Sequence, residues 1–231
     1  MITLALDTTA LIASTAIVRD GKVLAEYTLN SGNTHSVTLL PMIKNMLETL
    51  GLSASDVDLY AVSVGPGSFT GVRIGAATVK GLAFAENKPC ISVSTLHAMA
   101  ENLSGLRGVI CPVINARRGQ VYGAFFKSEE NGLTRITDDD VLMASDIPAM
   151  IAEMGNVWFT GDGYDMVSSF TENKTPEMLR RGIAASVALI GEKMYNEAED
   201  KTVFSDAAML PVYLKKTQAE REREERLSKE N

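Results

Sequence analysis

The segment Ser63–Gly75, which reads S-V-G-P-G-S-F-T-G-V-R-I-G, restricts the fold more than any other part of the chain. Its glycine spacing fits neither a Walker loop, which ends in Gly-Lys-Ser/Thr, nor the G-x-G-x-x-G dinucleotide loop. Gly65 and Gly67 permit a tight turn with unusual backbone angles, and Ser68 or Thr70 can cap a following helix. The segment therefore predicts a strand, a glycine turn and a helix in direct succession.

Two interpretations of this helix, predicted at residues 69–86, compete. Its N-terminus carries open amides that can hold an anion. Alternatively, Gly71 and Gly75 lie one turn apart and let another helix approach the backbone closely. A glycine inside a helix costs about 1 kcal/mol relative to alanine, so a packing role is the natural explanation and we favour it. The small apolar face consists of Gly71, Gly75, Ala76, Val79, Leu82 and Ala83.

An earlier amphipathic helix is predicted from His35 to Leu50, where apolar residues recur at spacings of three and four. Pro41 lies inside this pattern, so we expect a kink or a late start. Three residues extend its apolar surface beyond one core face: Leu39, Met42 and Met46. We expect this surplus and the small face to pair with the matching helices of a related lobe in a four-helix contact. Arg73, on another face, points to solvent or to a partner.

This contact predicts a two-fold homodimer of the isolated chain. Gly75→Leu is then expected to weaken association roughly five- to hundredfold, because overpacking costs about 1–3 kcal/mol. The alternative is that the small face packs inside its own lobe. In that case the same substitution destabilises folding instead.

The order of the predicted elements repeats in two halves. The first half opens with three strands, joined at Asp20-Gly21 by a hairpin turn, at 2–7, 12–18 and 22–28. The second half is predicted to hold three strands, a helix capped by Ser145, a strand, a glycine turn and a long helix, at 109–115, 120–127, 133–143, 145–154, 157–160, 161–163 and 176–197. Each half thus reads βββαβα. Two such units form a two-lobed α/β protein with the actin-like/Hsp70-like ATPase (ribonuclease H-like) fold, with lobes at 1–103 and 104–214 and a charged tail at 215–231.

Composition excludes several classes of protein. With 22 Lys and Arg against 29 Asp and Glu the net charge is −7, so we do not expect strong non-specific nucleic-acid binding through a basic face, and a local basic patch is the alternative that the composition leaves open. Cys90 and Cys111 lie in apolar surroundings without C-x-x-C spacing, which indicates core residues in a reducing compartment. We see no signal peptide and no run of 18 apolar residues, and therefore expect a cytoplasmic protein that does not contact a membrane.

The opening L-A-L-D-T-T, the glycine segment and the closing P-V-Y-L at 211–214 together resemble the TsaB family, formerly YeaZ. The resemblance implies a non-catalytic partner of TsaD, which places the threonylcarbamoyl group on adenosine 37 of tRNAs reading codons that begin with A. It also implies that TsaE, an ATPase, joins them, that ATP and metal belong to the partner subunits, and that tRNA is met only through the complex. The alternative is an independent enzyme, either a small ATPase or a glycoprotease-like (M22) peptidase.

An ATPase of this fold needs acidic residues in both phosphate turns. The turn Asp7-Thr8-Thr9 would place a carboxylate near Mg²⁺ and hydroxyls near phosphate oxygens. The resemblance implies D-A-R in the second turn, where this chain has Asn115-Ala116-Arg117, and asparagine binds magnesium less well. We interpret Arg117 and Arg118 as a solvated turn rather than as a contact to tRNA or an acidic partner. We expect a vestigial nucleotide cleft with weak or no ATP binding, formed by Asp7, Thr8, Thr9, Asn115, Gly161 and Gly163.

The sequence motifs typical of metal-dependent and of nucleophilic catalysis are not found either. The resemblance implies a metal-binding pair of histidines one turn apart on the first helix of TsaD-like proteins, but here Leu39 follows His35 by four positions. His97, the other histidine, lies far along the chain. Ser68 does not stand in a G-x-S-x-G elbow. We therefore expect no catalytic residue and no metal site in this chain.

Overall fold

Two β-sheets organise the chain, and the first comes from its N-terminal part. The computed structural model describes residues 1–32, 34–130 and 132–215. The strands of the first sheet are β1 Ile2–Asp7, β2 Ala13–Arg19, β3 Lys22–Leu29, β4 Leu59–Ser63 and β5 Cys90–Val93. Their spatial order is β3-β2-β1-β4-β5, with β1, β2 and β3 in an antiparallel meander and β4 and β5 parallel to β1.

The meander follows from local sequence signals. Asp20 and Gly21 form a two-residue turn in which both φ angles are positive, +49° and +76°. Aspartate and glycine tolerate this left-handed backbone, whose twist matches that of the flanking strands. Arg19 and Lys22 pair directly across the turn. The predicted three-strand opening is confirmed.

Helices cover both faces of the first sheet. The helices of the described chain are α1 His35–Thr49, α2 Phe69–Glu86, α3 Thr95–Glu101, α4 Ile147–Ile151, α5 Tyr164–Val167 and α6 Ala184–Glu197. α1 and α2 pack on one face around a core that includes Leu4, Leu6, Ile17, Leu39, Met46, Tyr60, Val62 and Val79. α3 and α6 cover the other face around Ala5, Ala16, Leu59, Ala61, Ile91, Ala184, Val187 and Ala188. α1 begins at His35 and holds Pro41 in its interior, so the late start is wrong.

The placement of α6 differs from the prediction. A single helix from Pro176 to Glu197 is wrong, because Ile183 is extended (φ −128°) and the helix begins at Ala184. Its small residues then approach the first sheet closely; a Cβ on Gly191 would lie 3.0 Å from the Cβ of Ala61. Residues 184–197, predicted within the C-terminal lobe, therefore complete the N-terminal one.

The second sheet is arranged around one long strand. Its strands are β6 Gly108–Arg117, β7 Gln120–Gly123, β8 Phe126–Glu129, β9 Gly132–Arg135, β10 Asp140–Met143 and β11 Val157–Thr160. The first part of β6 pairs with β8 and β11, and its last part pairs with β7. The strands predicted at 120–127 and 133–143 are each divided in two. β7 and β8 keep one antiparallel register against β6 and are interrupted at Ala124 and Phe125, and β9 and β10 are separated by residues 136–139.

The break between β7 and β8 is stabilised from within the lobe. Phe125 is fully buried, and its amide donates to the Thr137 hydroxyl at 3.0 Å. The helix predicted at 145–154 is shorter, because Ser145 donates to the Asp146 carboxylate instead of capping.

A segment at the end of the described chain, residues 211–215, crosses both lobes, and we call it the C-terminal strap. The amide of Val212 donates to the carbonyl of Val64 in the N-terminal lobe at 2.8 Å. The Lys215 ammonium donates to the carbonyl of Ala116 in the second sheet at 2.8 Å. Apart from Lys215, the charged tail predicted at 215–231 lies outside the described residues. Among the helices that are described, none has the length and apolarity needed to cross a bilayer.

Candidate functional site

The glycine segment packs against the turn that ends β1. A Cβ added to Gly67 would lie 2.5 Å from the carbonyl oxygen of Thr9, and one on Gly71 would lie 1.9 Å from that of Thr8. On Gly75 it would meet the Thr8 hydroxyl at 2.4 Å. No side chain fits at these separations, so close packing is the correct interpretation of these glycines. Their partner is the turn Thr8-Thr9 of the same lobe rather than another helix.

Gly65 and Ser68, the remaining residues singled out in this segment, also make contacts within the protein. Gly65 adopts a φ of +117°, and a Cβ there would lie 2.4 Å from the carbonyl oxygen of Val212 in the C-terminal strap. Ser68 caps α2 as predicted, because its hydroxyl accepts from the amide of Gly71 at 3.2 Å. The segment thus holds β1, α2 and the strap together.

Both carboxylate oxygens of Asp7 already accept hydrogen bonds from neighbouring residues of the protein. One carboxylate oxygen accepts from the Thr9 amide at 2.9 Å and hydroxyl at 2.7 Å, and the other accepts from the Ser63 hydroxyl at 3.2 Å. The residue is 2% exposed, and a Cβ on Gly182 would lie 2.5 Å from its Oδ2. The Asp7 carboxylate is thus buried, hydrogen-bonded through both oxygens and closely packed against Gly182, an arrangement that does not favour a magnesium ion at this turn.

Asn115, Gly161 and Gly163 form a second cluster. The amide of Asn115 donates to Asp162 at 2.8 Å, and its side-chain oxygen accepts from the Arg117 amide at 2.8 Å. The two glycines lie against the backbone of β6, and burial raises the pKa of the Asp162 carboxyl. No hydrogen bond or ion pair between described residues joins this cluster to Asp7. The cleft residues are thus held in two separately satisfied turns.

The remaining chemically capable side chains are also engaged. His35 Nε2 donates to the carbonyl of Ala10 at 2.9 Å, and this bond fixes the N-terminal end of α1 to the β1–β2 loop. Burial raises the pKa of Cys90 to about 11 and that of Cys111 as well, so both behave as the predicted core residues. Within residues 1–32, 34–130 and 132–215, no group of three His, Cys, Asp or Glu is arranged to hold a metal ion.

The residues predicted to bind a partner lie mostly inside the lobe. The buried members of that set are Leu39, Met46, Gly71, Gly75, Ala76, Val79 and Ala83, and Met42 is half-buried. The expectation that they are exposed is wrong, because this side of α1 and α2 faces the sheet, and the internal-packing alternative is correct. Arg73 is exposed, but its guanidinium stacks on Phe69 at 3.8 Å and donates to the Tyr213 hydroxyl at 2.9 Å.

The outward side of α1 and α2 is the apolar surface that the sequence did not distinguish. Val37 and Leu40 on α1 are 68% and 54% exposed, and Phe84 on α2 is 76% exposed. A groove of about 710 Å³ lies between α1 and Leu82 of α2, lined by Leu40, Pro41, Ile43, Lys44, Leu47, Glu48, Leu52, Ser53 and Leu82. Phe84 lines a separate groove together with Tyr195 and Phe204. Ala77, Gly81 and Phe84 recur at spacings of four and three, a signal for one exposed face that could have been found.

Gly81 differs from the other glycines of α2. A Cβ at this position would meet no heavy atom within 4 Å. Nothing in the fold therefore requires a glycine here, although glycine weakens a helix interior. A close approach by another molecule would explain it.

The chain is similar in sequence to a defined group of proteins. The TsaD family, tRNA N6-adenosine threonylcarbamoyltransferase, matches residues 22–222. The tRNA threonylcarbamoyladenosine biosynthesis protein TsaB of Bacillus subtilis is 30% identical, over 95% of this chain and 96% of its own. TsaB of Escherichia coli is 34% identical, over 92% and 94%. The chain belongs to the TsaB family.

A solved structure of the TsaB family confirms the architecture. YeaZ from Pseudomonas aeruginosa covers 92% of this chain with 99% of its own, at 26% identity and a TM-score of 0.78. The predicted two-lobed actin-like/Hsp70-like fold and the predicted TsaB resemblance are both confirmed.

Proposed function

We propose that this chain is a non-catalytic subunit in the formation of threonylcarbamoyladenosine at position 37 of tRNA. Its TsaB relatives are named as biosynthesis proteins, while the wider family that it matches carries the name of the transferase. A satisfied Asp7, an asparagine at position 115 and a His35 bonded to the backbone support a chain without its own catalytic centre. ATP and metal belong to the partner subunits in this proposal.

The observation that carries the proposal is the outward apolar face of α1 and α2. Exposed apolar patches of this kind are typical of protein interfaces. Here the patch comprises two adjacent helices, a groove between them and an exposed helical glycine. A second pair of helices fits such a surface, because a small residue lets two helix backbones approach closely.

We assign this face to a TsaD-type partner, whose related lobe would supply the second pair of helices. In the absence of that partner the same face pairs with itself, so the isolated chain is a two-fold homodimer. A TsaE-type ATPase joins the pair, and tRNA is bound by the assembled complex.

Gly81→Leu and Gly75→Leu test this assignment as a matched pair on one helix. Gly81→Leu should fold normally, since leucine favours helix and the site is open. It should weaken association with the TsaD-type partner roughly five- to hundredfold, the equivalent of about 1–3 kcal/mol of overpacking. Gly75→Leu should instead unfold the lobe, because its side chain would collide with Thr8. Calorimetric titration and thermal unfolding measure the two effects.

The assignment fails if Gly81→Leu binds the partner and dimerises with wild-type affinity. It also fails if Gly75→Leu is as stable as the wild type. Turnover of ATP or peptide by the pure chain would favour the alternative, an independent small ATPase or an M22-like peptidase.

A further inference from the structure

The turn between β6 and β7 holds two arginines in a backbone conformation that arginine rarely adopts. Arg117 and Arg118 have φ angles of +64° and +57°, and Gly119 follows at +73°. Left-handed backbone brings the Cβ of an L-residue too close to its own carbonyl oxygen, so glycine, asparagine and aspartate are preferred there. Strained residues of this kind are concentrated at functional sites.

Another hairpin of the same chain shows that the strain is avoidable. The β2–β3 turn spans two residues, as the β6–β7 turn does, and uses Asp20-Gly21. The residue before that turn, Arg19, belongs to strand β2 and does not have a positive φ angle. The β6–β7 turn has arginine where the other turn has aspartate, and its preceding arginine is left-handed as well.

The two guanidiniums have no role inside the described fold. Five other arginines contact a carboxylate, a carbonyl, a hydroxyl or an aromatic ring, namely Arg73, Arg107, Arg135, Arg180 and Arg181. Arg117 and Arg118 are exposed and make no ion pair or side-chain hydrogen bond to any described residue. Their strain is therefore not offset by packing.

A third cation lies at the base of the same turn. The Lys215 ammonium donates to the Ala116 carbonyl at 2.8 Å and to the Gln120 side chain at 2.7 Å. The neighbouring carboxylate, Asp162, is engaged by the amide of Asn115. Three positive charges are thus grouped on a chain whose net charge is −7.

We infer that Arg117 and Arg118 form a phosphate-binding turn, held at its base by Lys215, that contacts the backbone of the RNA substrate directly. This inference rests on the proposed function, which makes a tRNA the substrate of the complex. It goes beyond the expectation that the chain meets tRNA only through its partners. Guanidinium groups bind phosphate oxygens in a bidentate manner, and a strained turn holds both groups outward.

The double substitution Arg117→Asn/Arg118→Asn tests this inference, because asparagine suits a left-handed backbone and removes the charge. The control is Arg19→Asn/Lys22→Asn, which removes the same charge beside the other hairpin. Each variant is assembled with the TsaD-type partner, and binding of an unmodified tRNA transcript is measured by fluorescence anisotropy from low to high KCl.

The turn variant should bind the transcript more weakly, and the slope of log K against log salt should fall by about 1.4–1.8, the loss of two phosphate contacts. Its melting temperature should stay level or rise, because the strain is relieved. The control should keep the wild-type slope.

The inference is overturned if the turn variant keeps the wild-type salt slope, or if it unfolds at lower temperature than the control. It is also overturned if RNA binding is intact and association with a partner protein is lost, since the turn would then bind an acidic protein surface. Failure of the wild-type chain to assemble with the partner would refute the proposed function instead. The same titration on the chain alone would then decide the role of the turn.

Discussion

At the scale of single residues, His97 shows how a side chain that resembles a catalytic group serves the fold. It stacks on Phe126 with ring centroids 5.4 Å apart. Burial, together with the nearby Arg135 guanidinium, lowers the pKa of His97 to about 4. The imidazole is therefore neutral in the folded protein at physiological pH, and its contribution is to packing between α3 and the second sheet.

This lowered pKa predicts a specific loss of stability in acid. Between pH 6.5, the ordinary pKa of histidine, and about 4, the unfolded chain binds a proton that the folded chain does not. The contribution of His97 to the free energy of unfolding is thus fully present above pH 6.5 and declines as the pH falls towards 4. His97→Phe keeps the stacking and removes the titration, so its melting temperature should fall less than that of the wild type between pH 7 and pH 5. Parallel curves for the two proteins would show that His97 does not titrate in this way.

At the scale of elements, the start of α6 depends on the first sheet. The amide of Ala184 donates to the Ser14 hydroxyl at 3.0 Å, and that of Ala185 donates to the Glu26 carboxylate at 3.2 Å. Strands β2 and β3 thus cap a helix that follows them by more than 150 residues in the sequence. The negative carboxylate also complements the positive end of the helix.

Removal of the hydroxyl cap should weaken the whole lobe. Ser14→Ala leaves the buried Ala184 amide without an acceptor, and loss of an N-cap costs about 0.5–2 kcal/mol of the free energy of unfolding. Urea denaturation measures this difference. The exposed Ser169 supplies a matched control, and Ser169→Ala should leave the midpoint unchanged. A Ser14→Ala midpoint equal to that of the control would contradict the capping role.

The elements that the sequence predicts well are those determined by near neighbours. The bounds of α2 and of the β1–β3 meander depend on Ser68, on the Asp20-Gly21 turn and on apolar periodicity, all of which are local. The break at Phe125 involves the Thr137 hydroxyl of a neighbouring loop, and the start of α6 depends on strands far earlier in the chain. Neither is encoded in the local pattern of apolar residues.

The proposed partner-binding face of α1 and α2 was predicted less well, because it too depends on contacts between distant parts of the chain. Both sides of α1 are apolar, so only the position of the sheet decides that Met46 is buried and Leu40 is exposed. The small face of α2 correctly indicated close packing, but its partner, the turn after β1, is identified only by the tertiary structure.

At the scale of the whole molecule, the C-terminal strap joins the two lobes. Val212 pairs with Val64, Tyr213 lies on Phe69 and Arg73, and Lys215 reaches the second sheet. The strap therefore links the glycine segment of one lobe to the β6–β7 turn of the other.

Two truncations separate the strap from the residues that follow it. A chain ending at Leu210 loses these contacts and should show a lower melting temperature, with faster amide exchange in the β6–β7 turn and the first turn of α2. A chain ending at Lys215 keeps the contacts of the strap and should exchange more slowly in those segments than the chain ending at Leu210. Equal exchange in the two truncated chains would show that the strap does not restrain the lobes.

The position of α6 on the first sheet has a consequence for synthesis of the protein. While the ribosome has released only the first 183 residues, the face of the first sheet around Ala5, Leu59 and Ile91 has no helix α6 to cover it. A nascent chain at this stage presents an apolar surface, so the N-terminal half does not mature as translation passes its end. Completion of the first lobe awaits the emergence of residues 184–197, and a gene fragment that encodes only the first half would yield an aggregation-prone product.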